Sequence, residues 1–69
     1  MVINHVVEIF RNGHKYMTVL MTKENKKWKS LYIRLSDIKT TDILKHNNRE
    51  FTINKIRKQD TGLLIITDG

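Results

Sequence analysis

The chain has 69 residues, of which 39% are apolar, and 13 Lys and Arg against 7 Asp and Glu give it a net charge of +6. A chain of this length forms one domain, which we place at residues 1–69. Because it contains no cysteine, disulfides and thiolate zinc sites are excluded and a reducing, cytoplasmic compartment is expected. The longest apolar run, residues 63–66, is far shorter than the roughly 20 residues of a transmembrane helix, so no membrane partner is expected.

The composition favours strands over helices. Ile, Val and Thr together supply 20 residues, whereas alanine, the best helix former, is absent. Side chains branched at Cβ are stiff and pack well on a pleated sheet. The apolar residues are also too many and too regularly spaced for a disordered tail. We therefore expect an ordered domain that is mainly β-structure.

The first two predicted strands form a hairpin. Alternating apolar residues predict a strand over residues 2–10, and a second strand is expected over residues 15–22. Asn12-Gly13 between them is the strongest short-range hairpin signal, because both central residues of a type I′ turn need a positive φ.

An uninterrupted ladder from this turn places Val7 opposite Thr18. The predicted outer face of the first strand then contains Ile3, Val7 and Ile9. Either a long first strand that curls around the barrel buries these side chains, or they form a homodimer interface.

The third predicted strand, residues 28–35, alternates between apolar and polar side chains. A turn centred near Asn25 places Thr22 opposite Trp28. In this register Leu31 points into the core and Trp28 points outward. A shift of one residue would move Trp28 into the core, because successive side chains of a strand point to opposite faces.

The C-terminal half is predicted to contain one short helix and two strands. A serine and an aspartate after the third strand are typical of a helix start, and Asn47-Asn48 is typical of a helix stop. The helix is therefore expected within residues 37–46. Two further strands are expected over residues 50–57 and 63–67, joined by a type I turn that ends in glycine.

These elements predict a mainly β fold, a small five-stranded antiparallel barrel of β-β-β-α-β-β order with one short helix between strands 3 and 4. The order is similar to that of the OB-fold, a Greek-key barrel that binds oligonucleotides and oligosaccharides. An SH3-like barrel is the alternative, although its helical turn belongs between the fourth and fifth strands. The predicted core includes Val19, Leu31, Ile33, Phe51, Ile53 and Ile65.

The outward side chains of the second and third strands predict a nucleic-acid-binding surface that combines aromatic and basic residues. Aromatic rings stack on bases, at about 1–3 kcal/mol per base, and cations neutralise phosphates. The turn between the last two strands adds further cations beside the same groove. The predicted binding residues are Lys15, Tyr16, Lys26, Lys27, Trp28, Lys29, Tyr32, Arg34, Lys55, Arg57 and Lys58.

The sequence thus predicts a small basic protein that binds nucleic acid, preferably single-stranded DNA or RNA, with weak sequence preference. The alternative is a small protein-interaction module of phage or plasmid type that binds and modulates a host protein. Aromatic residues and arginine also dominate protein interfaces, and the net charge favours an acidic partner. No enzyme, cofactor or metal site is expected, because phosphate loops, nucleophile elbows and histidines at metal-ligand spacing are absent from the sequence.

Overall fold

Six antiparallel strands close into a barrel in the computed structural model, which describes residues 3–69. The strands are β1 (His5–Arg11), β2 (His14–Glu24), β3 (Lys27–Ser30), β4 (Ile43–His46), β5 (Arg49–Lys58) and β6 (Leu63–Thr67). A small antiparallel barrel is thereby confirmed, with six strands instead of the predicted five. The predicted start of the first strand at residue 2 lies outside the described residues.

Two three-stranded meanders make up this barrel. β1 to β3 form the first and β4 to β6 the second, and the pairs β1–β4 and β3–β6 join them into a closed ring. β3 and β4 lie three strands apart around the ring, so residues 31–42 cross one end of the barrel. Ile33 and Ile38 of this crossing segment are buried and cover that end of the core.

Two turns use consecutive residues with positive φ. Asn12 has a φ of 54° and Gly13 a φ of 80°, which confirms the predicted turn between β1 and β2. Asn47 and Asn48, with φ of 52° and 63°, form a second turn between β4 and β5. The prediction that these asparagines stop a helix was wrong. Asparagine tolerates the left-handed region, and two such residues in succession match a two-residue hairpin as well as a helix end.

The predicted helix is reduced to a single 3₁₀ turn, Leu35–Asp37, between β3 and β4. The Asp37 carboxylate accepts a hydrogen bond of 3.1 Å from the Arg34 amide, and the Asp37 amide donates one of 2.9 Å to the Arg34 carbonyl. Ile38 then adopts an extended backbone, with φ −138° and ψ 148°. Residues 43–46 form β4, because pairing with both β1 and β5 buries Leu44 completely, which an isolated helical turn would not.

A β-bulge between Ile9 and Phe10 corrects the predicted ladder of the first hairpin. Beyond the bulge Val7 pairs with Val19, where the uninterrupted ladder had placed Thr18. The shift puts Val7 and Ile9 on the inner face, and both are fully buried. The gain in buried apolar area explains the bulge, since a shift of one residue exchanges the two faces of a strand.

The apolar outer face predicted for the first strand is correspondingly reduced. Ile3 remains exposed, and Val6, which pairs with Leu20 across the hairpin, joins it on the outside. Homodimer formation through this strand stays a prediction, but Val7 and Ile9 cannot take part in it because they are in the core.

The turn between β2 and β3 has two residues, Asn25 and Lys26, and this length sets the register. Lys23 pairs with Trp28, one residue away from the predicted partner. Trp28 is therefore 0% exposed, and the predicted outward position was wrong. Its indole Nε1 donates a hydrogen bond of 3.0 Å to the Thr67 hydroxyl, which compensates the burial of a polar N–H group.

The predicted core is confirmed in five of its six members, which are Val19, Ile33, Phe51, Ile53 and Ile65. Leu31 is the exception, with 62% of its surface exposed. β3 has four residues and ends at Ser30, so the alternation does not continue to residue 35 as predicted. At this last residue of β3 the buried Ser30 hydroxyl donates a hydrogen bond of 2.9 Å to the Leu20 carbonyl.

Candidate nucleic-acid interface

The outer surface of β3, β6 and β5 brings four of the predicted binding residues together. Paired residues on neighbouring strands point to the same side of a sheet. In the first row Ile66 lies between a lysine of β3 and a lysine of β5, and in the second row Leu64 lies between a lysine and an arginine. Both aliphatic side chains are half-buried, whereas the cations are exposed. These cations, which we call the basic face, are Lys27, Lys29, Lys55 and Arg57.

The spacing within the basic face follows from strand geometry. Residues two apart along a strand are about 7 Å apart, and residues two strands apart are about 10 Å apart. The four charges therefore occupy the corners of a small rectangle. Within residues 3–69 the ion pairs are Arg11–Asp42 and Lys15–Glu8, and neither includes a member of the basic face. The nearest acid in the ladder is Glu24, which pairs with Lys27.

Two further predicted residues lie at the ends of the strands that contain the basic face. Lys26 lies in the turn that precedes β3, next to the first row. Lys58 ends β5 and pairs with the buried Leu63, so it lies on the opposite side of the strand from Arg57. Both side chains are exposed. The basic face and these two neighbouring lysines thus account for six of the eleven residues predicted from sequence.

The predicted grouping of aromatic rings is not found. Trp28 is in the core, and Tyr16 lies on the first hairpin, where the Arg11 guanidinium stacks 3.9 Å from its ring centroid. Lys15 on the same hairpin forms an ion pair of 3.5 Å with Glu8. Tyr16, Trp28 and Tyr32 do not share a surface, because the bulge and the short turn each shift the ladder by one residue.

The last two predicted residues lie in the crossing segment. Tyr32 is 65% exposed and lines a groove next to Lys29. Arg34 is exposed and lines a separate groove together with Lys58. Tyr32 is therefore the predicted aromatic residue that the fold leaves close to the basic face.

The barrel end opposite the crossing segment is closed by rings and a cation. Lys23, which was not among the predicted residues, places its Nζ 4.9 Å from the Trp28 ring centroid and 4.8 Å from that of Phe51. The rings of His5 and His46 meet edge to face at 4.8 Å. Burial lowers the pKa of His46, and the charges of His5 and Lys23 lower it further. The rings and the cation thus pack against one another and close this end of the barrel. The part of the chain described here holds no cluster of three or more metal-ligating side chains.

An ion pair between the partly exposed Arg11 and a buried carboxylate fixes the crossing segment to the first hairpin. Arg11 donates two hydrogen bonds of 2.9 Å to the carboxylate of Asp42, whose surface is 1% exposed. Asp42 also accepts a hydrogen bond of 2.9 Å from the Lys39 amide. The Arg11 guanidinium holds the pKa of Asp42 below its ordinary value of 3.8. Sequence reasoning missed this pair, because the two residues are 31 positions apart.

The spacing of the basic face was visible in the sequence. Lys27 and Lys29 are two residues apart, as are Lys55 and Arg57, so each pair shares one face of its strand. The sequence did not reveal that β3 is hydrogen-bonded to β6, and this contact is what brings the two pairs of cations together.

No helix in residues 3–69 is both long enough and apolar enough to cross a membrane. Comparison of the chain with family models, with curated proteins and with solved structures finds no match.

Proposed function

We propose that this protein binds nucleic acid, preferably a single strand of DNA or RNA, through phosphate contacts of the basic face. The observation that supports this best is the grouping of four exposed cations on one surface, none of which forms an ion pair within residues 3–69. Such a surface attracts a polyanion, and the net charge of +6 adds a long-range component.

The chemistry of the four side chains suits phosphate. Lysine ammonium groups act as point charges with three donors, and Arg57 can donate two parallel hydrogen bonds to one phosphate. Each neutralised phosphate releases counterions, so log affinity falls linearly with log salt, with a slope of about −0.7 per contact on a single strand. Four contacts predict a slope of about −3.

Weak sequence preference follows from the same contacts. Phosphate contacts position a strand but contain no sequence information. The half-buried side chains of Leu64 and Ile66 separate the cations and offer apolar area to sugars or bases. An exposed surface of this kind accepts a flexible single strand in many registers.

The experiment is a titration of a fluorescent single-stranded oligonucleotide at several salt concentrations. Lys55→Gln should weaken binding and reduce the magnitude of the salt slope by about 0.7, because one phosphate contact with the single strand is lost. Lys39→Gln is the matched control, since it makes the same charge change in the crossing segment, outside the basic face. The proposal is wrong if the parent binds no nucleic acid at low salt, or if both variants change the slope equally.

A second candidate function is protein interaction, and a separate observation favours it. Val6, Leu20, Leu31 and Leu35 are 61%, 39%, 62% and 50% exposed. Exposed apolar side chains that cluster often mark a protein interface, and an acidic partner would complement the net charge. The two functions differ in salt dependence, because an apolar interface gives a much shallower slope than phosphate contacts do.

A further inference from the structure

A groove of about 450 Å³ lies beside the basic face. Leu20 of β2 and two residues of the crossing segment, Leu31 and Tyr32, supply its apolar lining. Thr22, Lys29 and Thr61 contribute polar groups to the same groove. The volume is within the range of about 300–1,000 Å³ that is usual for small-molecule sites.

Hydrogen bonds of one buried side chain and a closely packed turn hold the walls of this groove in place. The buried Ser30 hydroxyl donates to the Leu20 carbonyl at 2.9 Å and accepts from the Tyr32 amide at 3.2 Å, which connects two walls through one side chain. The turn before β6 packs closely on the same point, because a Cβ added to Gly62 would lie 2.0 Å from the Ser30 carbonyl oxygen. Leu31 and Tyr32 are therefore held outward by the fold, and the groove exists without a ligand.

We propose that this groove binds one base of the strand whose phosphates lie on the basic face. The inference rests on the proposed function and adds a base-binding site to it. Lys29 belongs to both surfaces, since it is a corner of the basic face and also lines the groove. A strand that places a phosphate on Lys29 brings the adjacent base to the groove entrance.

The lining of the groove suits a planar, uncharged ring. Tyr32, at 65% exposure, offers a face on which a base can stack, and Leu20 and Leu31 offer apolar contact. The Thr61 hydroxyl can donate or accept a hydrogen bond at the edge of a base. Lys29 attracts the phosphate next to the base, and among the described residues that line the groove none is acidic.

The test compares two oligonucleotides with the same number of phosphates, an oligothymidine and an abasic oligomer of equal length. At a salt concentration at which both bind, the parent should prefer the oligothymidine by about tenfold, because base stacking is lost in the abasic strand. Tyr32→Ser should remove most of this preference and leave the affinity for the abasic oligomer unchanged. Tyr32→Phe should retain the preference, because the stacking ring remains.

Leu35→Ser is the matched control, since Leu35 is exposed but lines a different groove. It should leave the preference intact, and thermal melting of each variant checks that the barrel is folded. Equal affinity of the parent for the two oligomers overturns the base site and leaves the proposed function standing. A preference that persists in Tyr32→Ser also overturns it. Absence of binding to either oligomer at low salt overturns both proposals, and protein docking then becomes the better explanation of the groove.

Discussion

Arg11 is the last residue of β1 and Arg57 is the last but one of β5, yet their surroundings differ. Arg11 stacks on Tyr16 and donates two hydrogen bonds to the buried carboxylate of Asp42. Arg57 lies on an exposed sheet surface beside other cations and outside the ion pairs found in residues 3–69. An arginine whose donors are taken up by a buried carboxylate stabilises the fold, whereas one on an exposed cationic surface keeps its donors available for a ligand. The contacts of a basic residue therefore decide whether it is a structural residue or a candidate binding residue. The amino-acid type does not distinguish the two.

The largest effect on stability is expected when the ion pair of Arg11 and Asp42 is changed. Asp42→Asn should lower the free energy of unfolding by about 2–3 kcal/mol, because it removes the charge of a buried carboxylate that accepts two hydrogen bonds from the partly exposed Arg11. Chemical denaturation at neutral pH measures the change. Asp60→Asn, which makes the same change at an exposed acid, is the control and should stay within about 0.5 kcal/mol of the parent.

The stabilisation of the fold by Asp42 should depend on pH. The pKa of Asp42 is lowered in the folded state, so its stabilising effect is present above its ordinary value of 3.8 and is lost as the pH falls below it. The difference between parent and Asp42→Asn should therefore shrink as the pH is lowered through this range. A difference that is constant with pH would contradict a role for the carboxylate charge.

Two glycines with similar φ allow the turn next to Arg11 to be compared with the turn before β6. Gly13 in the first hairpin and Gly62 before β6 have almost the same φ, 80° and 79°. An added Cβ at Gly13 meets no atom within 4 Å, but at Gly62 it would lie 2.0 Å from the Ser30 carbonyl oxygen. Gly13→Ala should cost about 1–2 kcal/mol for the left-handed backbone alone, and Gly62→Ala should cost clearly more. Thermal melting of both variants checks this, and equal losses would show that Gly62 does not pack on β3.

The smallest effect on stability is expected at Arg57. Arg57→Gln should change the free energy of unfolding by no more than about 0.5 kcal/mol, because the residue is exposed and outside the ion pairs of the described chain. The variant should nevertheless bind a single-stranded oligonucleotide more weakly than the parent. A large loss of stability in Arg57→Gln would remove the distinction between the two arginines.

Several features of the barrel could be predicted because their causes are local. The Asn12-Gly13 turn needs only two residues that accept a positive φ. The burial of Phe51 and Ile53 needs only alternation along a strand. The bulge beside Phe10 could not be predicted in this way, since it arises from the need to bury Val7 against strands elsewhere in the chain.

The candidate site was predictable as a set of residues but not as a surface. Lys27 and Lys29 share a face by their spacing, and so do Lys55 and Arg57. Their grouping depends on β6, which pairs with β3 on one side and β5 on the other. The aromatic residues predicted beside these cations were placed wrongly. The position of each ring depended on the strand register, which the local pattern does not fix to within one residue.

The sequence by itself determined that this protein is a small basic β-barrel and determined which side chains share a face of each strand. Only the tertiary structure decided which face of β1 and of β3 points inward. For Trp28 the decision depends on a two-residue turn and on Thr67, 39 positions away, whose hydroxyl accepts the indole hydrogen bond inside the core. An alternating pattern has a period of two, so a change of register by one residue exchanges the two faces of the strand. Contacts between distant strands must then decide which face is buried.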